Sequence, residues 1–384
     1  MKDRILFVAA IDMFVNGGGA QGTHAYLDAT LDIFGRDSVT VMVGDQVGIP
    51  KEYSDITFVK VPKRSSIESY VGFFTGNMSR MTKPLIEYVK THHDEYKYCI
   101  INGSLTGGRA VKIIESYGIK TIVIFHNYEV EYHRDNKSKV SLHGHYLGSI
   151  KRAEELSYKH ATLSLFMTSD DIKIFEKAYG ASHTKKHILG TYDYKAREQE
   201  NIKKDNKKYD IVISGSLVTY QTYIGIKDFF DKYLNITEDI IENVSIVLTG
   251  RSPSSEVLDI QKRRSDVFSI IPNPDDILTV VQEGRLYLCP TCIGGGLKLR
   301  AMDGLKCGLP VLAHEVSARG YDYYYDKDYF QIYNNEESFR IGLTKLISYL
   351  DGNKEASETI NREYYEYFGY AAGVNRFKEA LKQI

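Results

Sequence analysis

The sequence predicts an α/β protein of two parallel-sheet domains with a C-terminal helical segment, and three observations carry that expectation. The chain has 384 residues, beyond the length at which one hydrophobic core usually stops growing, so two domains of comparable size follow. Short apolar runs alternate with stretches of helical periodicity in both halves, the pattern of strands joined by crossover helices. Between Lys185 and Lys208 that pattern lapses into a polar, charge-dense run without apolar period, which reads as a linker.

In the first half the candidate strands are Ile5 to Ile11, Val39 to Val43, Ile56 to Val61, Tyr98 to Asn102, Thr121 to His126 and Leu163 to Phe166. After the linker the alternation restarts with Asp210 to Ser214, Val244 to Thr249, Phe268 to Ile271, Arg285 to Cys289 and Pro310 to Ala313. The expected organisation is a first domain over 1–190, a linker over 191–208, a second domain over 209–355 and a helical segment over 356–384 that packs back toward the first domain. The last segment is charged and aromatic at helical spacing and carries no strand signal.

Composition excludes several classes of function. Lys and Arg number 49 against 50 Asp and Glu, so no overall field draws the chain onto nucleic acid. The N-terminal apolar run enters an Asn/Gly-rich loop and lacks the features of a signal peptide, and no stretch approaches the length of a spanning helix. The expected location is the cytoplasm, with membrane contact limited to its inner face and peripheral. Four cysteines are too few for a disulfide framework at this length. Cys289 and Cys292 form a Cys-x-x-Cys, but no second Cys/His pair at finger spacing accompanies it, so no metal is expected. The paired histidines His92 and His93, His143 and His145, and His183 and His187 lack a third ligand at useful spacing and read as surface residues.

The most informative stretch runs from Gly284 to Ala313 and parses as strand, glycine loop, helix, turn and strand. Gly294, Gly295 and Gly296 let the backbone approach a ligand, and Leu297 to Cys307 reads as a helix ended by Gly308. A glycine loop entering a helix gathers unpaired N–H groups at a positive dipole end, the arrangement that binds phosphate. Lys298 and Arg300 add charge, and Asp303, one turn beyond Arg300, is placed to accept hydrogen bonds from sugar or ribose hydroxyls. The alternative is a solvated helix face with an ordinary i, i+3 pair. Three consecutive glycines argue for the ligand reading, because they raise the entropic cost of folding without packing anything.

This segment resembles the donor-binding signature of retaining, family-4-like GT-B glycosyltransferases, Gly-Gly-Gly-x-(Lys/Arg)-x-(Lys/Arg)-x-x-Glu-Ala-x-x-x-Gly-x-Pro-Val, with Asp303 for the Glu and Gly304 for the Ala. The upstream Glu of members with paired glutamates is absent. Ser214 to Leu217 resembles the family's glycine turn under the donor phosphates, Leu248 to Pro253 its strand-Gly-x-x-Pro turn, and Pro272 to Ile277 its nucleobase loop. In the first domain, Phe125 to Glu129 resembles the motif His-Asn-x-Glu. Gly17 to Gly22 satisfies G-x-G-x-x-G, but Asp12 to Asn16 separate it from the strand, which disfavours an NAD site. The resemblance places this loop in the cleft.

The resemblance implies two Rossmann-like domains facing a central cleft and transfer of a sugar from a nucleotide-diphosphate donor, UDP-sugar being favoured. The acceptor is a glycan or is lipid-linked or protein-linked, as in cell-surface polysaccharide or glycoconjugate assembly. Retention, no metal and no cofactor beyond the donor follow. It assigns catalysis to His126, Lys298 and Arg300. Donor binding falls to Gly215, Ser216, Gly250, Arg251, Gly294, Gly295, Gly296, Leu297, Lys298, Arg300 and Asp303, and the acceptor side to Gly17, Gly18, Gly19 and Asn127. The alternatives are an inactive GT-B partner protein and a nucleotide-sugar epimerase. The basic, aromatic-interleaved stretch Lys60 to Lys83 reads as a solvated amphipathic surface, with contact to a lipid-linked or polymeric acceptor as its functional alternative.

Overall fold

The computed structural model describes residues 3–15, 18–135, 143–197, 207–294 and 296–384. They divide into two compact units, Met1–Glu198 with Gly369–Ile384 and Gln199–Phe368. In the first unit the strands are β1 (Ile5–Ala9), β2 (Val39–Gly44), β3 (Thr57–Val61), β4 (Tyr98–Asn102), β5 (Lys120–Phe125), β6 (Leu163–Phe166) and β7 (Lys185–Ile188). Its helices are α1 (Gly18–Phe34), α2 (Ser66–Thr75), α3 (Thr82–His92), α4 (Ser104–Ser116), α5 (Glu129–Asp135), α6 (His143–His160) and α7 (Ser169–Tyr179). The second unit has β8 (Tyr209–Ser216), β9 (Ile246–Arg251), β10 (Phe268–Pro272), β11 (Gly284–Cys289), β12 (Val311–His314) and β13 (Phe330–Tyr333). Around them lie α8 (Tyr220–Asp228), α9 (Leu234–Ile240), α10 (Ser255–Arg263), α11 (Ile277–Val281), α12 (Arg300–Lys306), α13 (Glu315–Ala318), α14 (Glu336–Gly352) and α15 (Ala356–Phe368). The last helix, α16 (Tyr370–Leu381), belongs to the first unit.

Every strand pairing is parallel, in the orders β3-β2-β1-β4-β5-β6-β7 and β10-β9-β8-β11-β12-β13. A parallel sheet is covered on both faces by its crossover helices, so its central strands bury both sides. All five residues of β1 are buried, and they alternate between two cores. Ile5, Phe7 and Ala9 join a layer with Tyr26 of α1 and Phe377 of α16. Leu6 and Val8 face the other way, toward Leu85 of α3, Val111 of α4 and Phe175 of α7. In the second sheet, Ile211 and Ile213 meet Ile226 of α8 and Leu343 of α14. Val212 meets Leu278 of α11, Leu305 of α12 and Tyr364 of α15. That alternation is the period-two geometry of a strand.

Two strands depart from the sequence reading. Lys185–Ile188 opens the stretch read as linker, yet it is β7, paired along β6, and Leu189 and Tyr192 beyond it are buried. Phe330–Tyr333, not assigned a strand, is β13, paired along β12. Both are edge strands with one neighbour and partly exposed side chains, so neither needs the continuous apolar run by which the inner strands announce themselves. Within the 191–208 stretch, residues 198–206 lie outside the described residues.

Many of the 30 tyrosines are core residues. Tyr26, Tyr158, Tyr192, Tyr287, Tyr321, Tyr324, Tyr333 and Tyr364 are among the largest fully buried side chains. In the first unit α16 depends on one of them: a Cβ at Gly373 would stand 2.0 Å from Cγ of the Tyr192 ring. Gly373→Ala is therefore expected to destabilise the protein by about 1–3 kcal/mol through overpacking, more than offsetting the roughly 1 kcal/mol that Ala gains over Gly in a helix. Thermal denaturation checks this, and an unchanged or raised midpoint contradicts it.

Candidate functional site

In a doubly wound sheet, ligands gather at the carboxyl ends of the strands where strand order reverses. The reversal lies between β1 and β4 in the first unit and between β8 and β11 in the second. The residues singled out from sequence fall at these two places, and each unit builds its own group.

In the first unit Gly18 and Gly19 form the first turn of α1, while Gly17 lies outside the described residues. His126 follows the last residue of β5 and is half-buried, as is Asn127. A polar relay ties His126 to α1. The Thr23 hydroxyl donates to the Gly19 carbonyl at 2.7 Å, and Asn102 Nδ2 donates to Thr23 Oγ1 at 2.7 Å. Asn102 Oδ1 is thereby left facing His126 Nε2 at 2.7 Å. An amide oxygen only accepts, so this assignment puts the imidazole proton on Nε2. Burial pushes the His126 pKa below its ordinary value, opposed in part by Glu129, so the neutral ring is the resting form. Asn102 and Thr23 are themselves buried.

A second buried group fixes the turn after His126. Glu154 of α6 is fully buried and accepts from the backbone N–H of Glu129 at 2.9 Å, from Ser104 Oγ at 3.2 Å and from the Tyr179 hydroxyl at 2.8 Å. Its carboxyl thus anchors the first residue of α5, three positions beyond His126. Burial pushes its pKa up to about 8, against those hydrogen bonds.

Beside α1 lies a cavity of about 510 Å³ that includes Phe14, His24, Asp28, Tyr53, Tyr194 and Lys195 in its lining. The Tyr53 hydroxyl donates to Asp28 Oδ1 at 2.5 Å and meets His24 Nε2 at 2.6 Å, and the Tyr194 ring stacks on His24 at 4.4 Å. The Lys195 backbone N–H donates to Asp28 Oδ2 at 3.2 Å. Rings beside a hydrogen-bonded carboxylate suit a polyhydroxylated ligand with apolar ring faces. Sequence reading passed over these residues; the available signal was the polar stripe of His24, Asp28 and Asp32 at fourfold spacing along α1.

In the second unit Gly215 pairs with Gly250 and Ser216 with Arg251 at the ends of β8 and β9. Gly215 has φ +140°, and a side chain there would stand 2.3 Å from Arg300 Nε. The missing side chain therefore makes room for the guanidinium. Arg300 donates to Thr222 Oγ1 at 2.6 Å. Thr222 lies 2.6 Å from Thr219 Oγ1, which donates to the Ser216 carbonyl at 3.0 Å. With its oxygen accepting from Arg300, Thr222 donates onward, so one directed chain runs from the cation to the end of β8. Gly294, at φ +90°, lies against Gln221, whose Nε2 a Cβ would approach to 2.4 Å. The backbone of Lys298 is held by the fully buried Tyr321, whose hydroxyl donates to its carbonyl at 2.8 Å.

The helix predicted from Leu297 begins three residues later, at Arg300. Met302 N–H bonds to the Leu299 carbonyl at 3.0 Å, so the chain winds through a tight turn before α12. Gly296 has φ +70°, and Gly295 lies outside the described residues. Gly294, Gly296 and Lys298 thus lie in irregular backbone ahead of the helix, while Arg300 and Asp303 keep their i, i+3 relation on α12. Arg251 is exposed; Leu297, Lys298, Arg300 and Asp303 are half-buried. Thr222, Gln221 and Thr291, whose hydroxyl lies 3.5 Å from Arg300 Nη1, belong to this group and were missed; nothing local marks Thr222 as the partner of an arginine 78 positions away. Cys289 is buried and Cys292 half-buried. No group of three or more His, Cys, Asp or Glu among the described residues is arranged to hold a metal ion.

No protein-family model matches the chain, and no curated protein matches it. Solved structures do. The HepE protein of Anabaena in complex with UDP is 13% identical over 99% of this chain and 100% of that chain, with a TM-score of 0.70. Sucrose-phosphate synthase of Thermosynechococcus elongatus is 11% identical over 99% and 98%, at 0.67. The lipopolysaccharide outer core galactosyltransferase WaaB is 13% identical over 99% and 99%, also at 0.67. The chain has the fold of these proteins, the GT-B fold that its motifs predict.

The Glu154 anchor has a signed pH dependence. Its folded value lies above the ordinary 4.5, so the stability linked to it is fully present below about pH 4.5 and is lost as pH rises toward about 8. Glu154→Gln keeps an acceptor for Glu129 N–H and removes the titration. Urea melts across that window should show wild type losing stability relative to the variant, on the order of a few kcal/mol in total. A difference that does not change with pH contradicts the assignment.

Proposed function

We propose that the chain is a retaining glycosyltransferase that takes a sugar from a nucleotide-diphosphate donor, UDP-sugar being favoured. The acceptor is a glycan, lipid-linked or protein-linked, as cell-surface polysaccharide or glycoconjugate assembly requires. The observation that carries this reading is the Arg300 guanidinium beside Gly215 at the switch point of the second sheet, with the glycine loop and Lys298 on the same segment. The Anabaena protein of the same fold binds UDP, and another of its structures holds UDP-glucose.

The chemistry follows from charge. As the glycosidic bond breaks, negative charge grows on the departing diphosphate. Lys298, Arg300 and the backbone amides of the glycine loop are the groups assigned to stabilise it, a preorganised cation being worth far more there than in water. Gly215, Ser216, Gly250, Arg251, Leu297 and Asp303 complete the donor assignment, Asp303 accepting from hydroxyls. Retention by attack of the acceptor on the face that the diphosphate leaves asks for no enzymatic nucleophile, which suits a site without a carboxylate pair. His126, neutral with its proton on Nε2, orients the transferred sugar. On the acceptor side the reading adds the cavity beside α1, where aromatic rings and Asp28 suit a saccharide.

Incubation with UDP-sugars and oligosaccharide or lipid-linked acceptors, followed by UDP release and the anomeric proton couplings of the product, tests the reading. The expected outcome is acceptor-dependent UDP release with retained configuration. Arg300→Ala should lower kcat roughly 10²–10³-fold without loss of the folded state. Isomerisation of the donor without transfer supports an epimerase instead, and nucleotide binding without turnover supports an inactive partner.

A further inference from the structure

The helix α2 lies within the amphipathic stretch Lys60 to Lys83. Both of its ends are well made: the Ser65 hydroxyl accepts from Glu68 N–H at 3.2 Å, Glu68 Oε2 accepts from Ser65 N–H at 2.9 Å, and Gly76 closes the helix at φ +74°. Ten residues are nevertheless too few for a helix to persist in water on local terms alone, and such helices are normally held by burying an apolar face. Here the apolar face points outward. Ile67, Tyr70, Val71 and Phe74 recur at i, i+3, i+4 and i+7 and are 77%, 60%, 51% and 57% exposed. Tyr70 and Phe74 stand 5.2 Å apart, so the stripe is continuous.

Charge and size together select what covers it. Lys63 is exposed just before the helix, Lys83 is exposed and bears electrostatically on Glu68, and the Arg64 guanidinium lies against the helix and donates to the Asn77 carbonyl at 2.6 Å. Glu68 is the one carboxylate within α2. The helix is about 15 Å long at 1.5 Å per residue. Four side chains on it offer well under the roughly 800 Å² per partner of a stable protein interface. Side chains that are apolar on one face, with lysines at the margin and a tyrosine within, match the boundary of a bilayer, where stems lie in acyl chains and charges meet headgroups.

We propose that α2 is a membrane-docking helix that lays Ile67, Tyr70, Val71 and Phe74 into the surface of an anionic bilayer, with Lys63, Arg64 and Lys83 at the headgroups. The proposal asks nothing of the donor site and stands or falls apart from the transferase reading. Among the described residues no helix is long and apolar enough to cross a membrane, so docking of this kind is peripheral.

The full chain is sedimented with phosphatidylcholine vesicles, with and without phosphatidylglycerol. Binding is expected to the anionic vesicles and to weaken with salt. Ile67→Ser combined with Phe74→Ser should lower vesicle partitioning roughly tenfold or more while leaving the melting temperature unchanged, because both side chains are exposed. The sequence has no tryptophan, so Phe74→Trp supplies a lone fluorophore whose emission should shift to the blue on anionic vesicles only. The proposal is overturned by wild-type protein that stays in the supernatant, by a double-serine variant that binds as wild type does, or by a dimer in solution that this variant dissociates.

Discussion

The guanidinium of Arg300 occupies the volume that any side chain at Gly215 would need, and the arrangement of the second unit's site depends on that exchange. A cation placed over the end of a parallel strand must be held against its own conformational freedom, since a free arginine carries about 2 kcal/mol of rotamer entropy. The chain meets that demand through Thr222, Thr219 and the Ser216 carbonyl, which orient the head without neutralising it. The glycines around it follow from crowding. Gly250 lies so close to the Gly215 carbonyl that a Cβ would stand 1.7 Å from its oxygen, and Gly225 brings α8 within 2.7 Å of the Pro290 carbonyl by the same measure.

The first unit uses buried polar groups for the same end. A neutral His126 whose Nε2–H is committed to Asn102 Oδ1, with Thr23 orienting Asn102, is held in one direction and keeps Nδ1 as an acceptor, and in a poorly hydrated setting such a bond is stronger than in water. Its neutrality has a cost in acid. With the folded pKa below the ordinary 6.5, the stability linked to His126 is present above that value and is lost as pH falls beneath it. Glu154 carries the opposite sign, so the two groups that position this turn favour a middle range of pH.

Much of this was legible in the chain, and what was not has a physical pattern. Inner strands such as Tyr98–Asn102 and Leu163–Phe166 are read to the residue because burial on both faces leaves a largely apolar run, interrupted only by Ser164 and closed by Asn102. Edge strands β7 and β13 are half-solvated and left no such run. The glycine loop with Lys298, Arg300 and Asp303 was readable because three glycines have little structural use in a strand or helix. Its helix was placed three residues early because apolar spacing continued through a turn. Thr222 and Asn102 were invisible for another reason: each acts through a partner distant in sequence, and pairing of that kind is a property of the fold.

The proposed function requires that the segment from Gly294 to Asp303 hold a nucleoside diphosphate through Lys298 and Arg300. Calorimetric titration of the purified chain with UDP, GDP, CDP, ADP and NAD, repeated on Lys298→Ala and Arg300→Ala, tests it most directly. The account predicts binding of UDP in preference to the others, weakened roughly tenfold or more by each substitution, as expected for a charge-assisted hydrogen bond. Binding of NAD alone, or UDP binding that neither substitution changes, contradicts it.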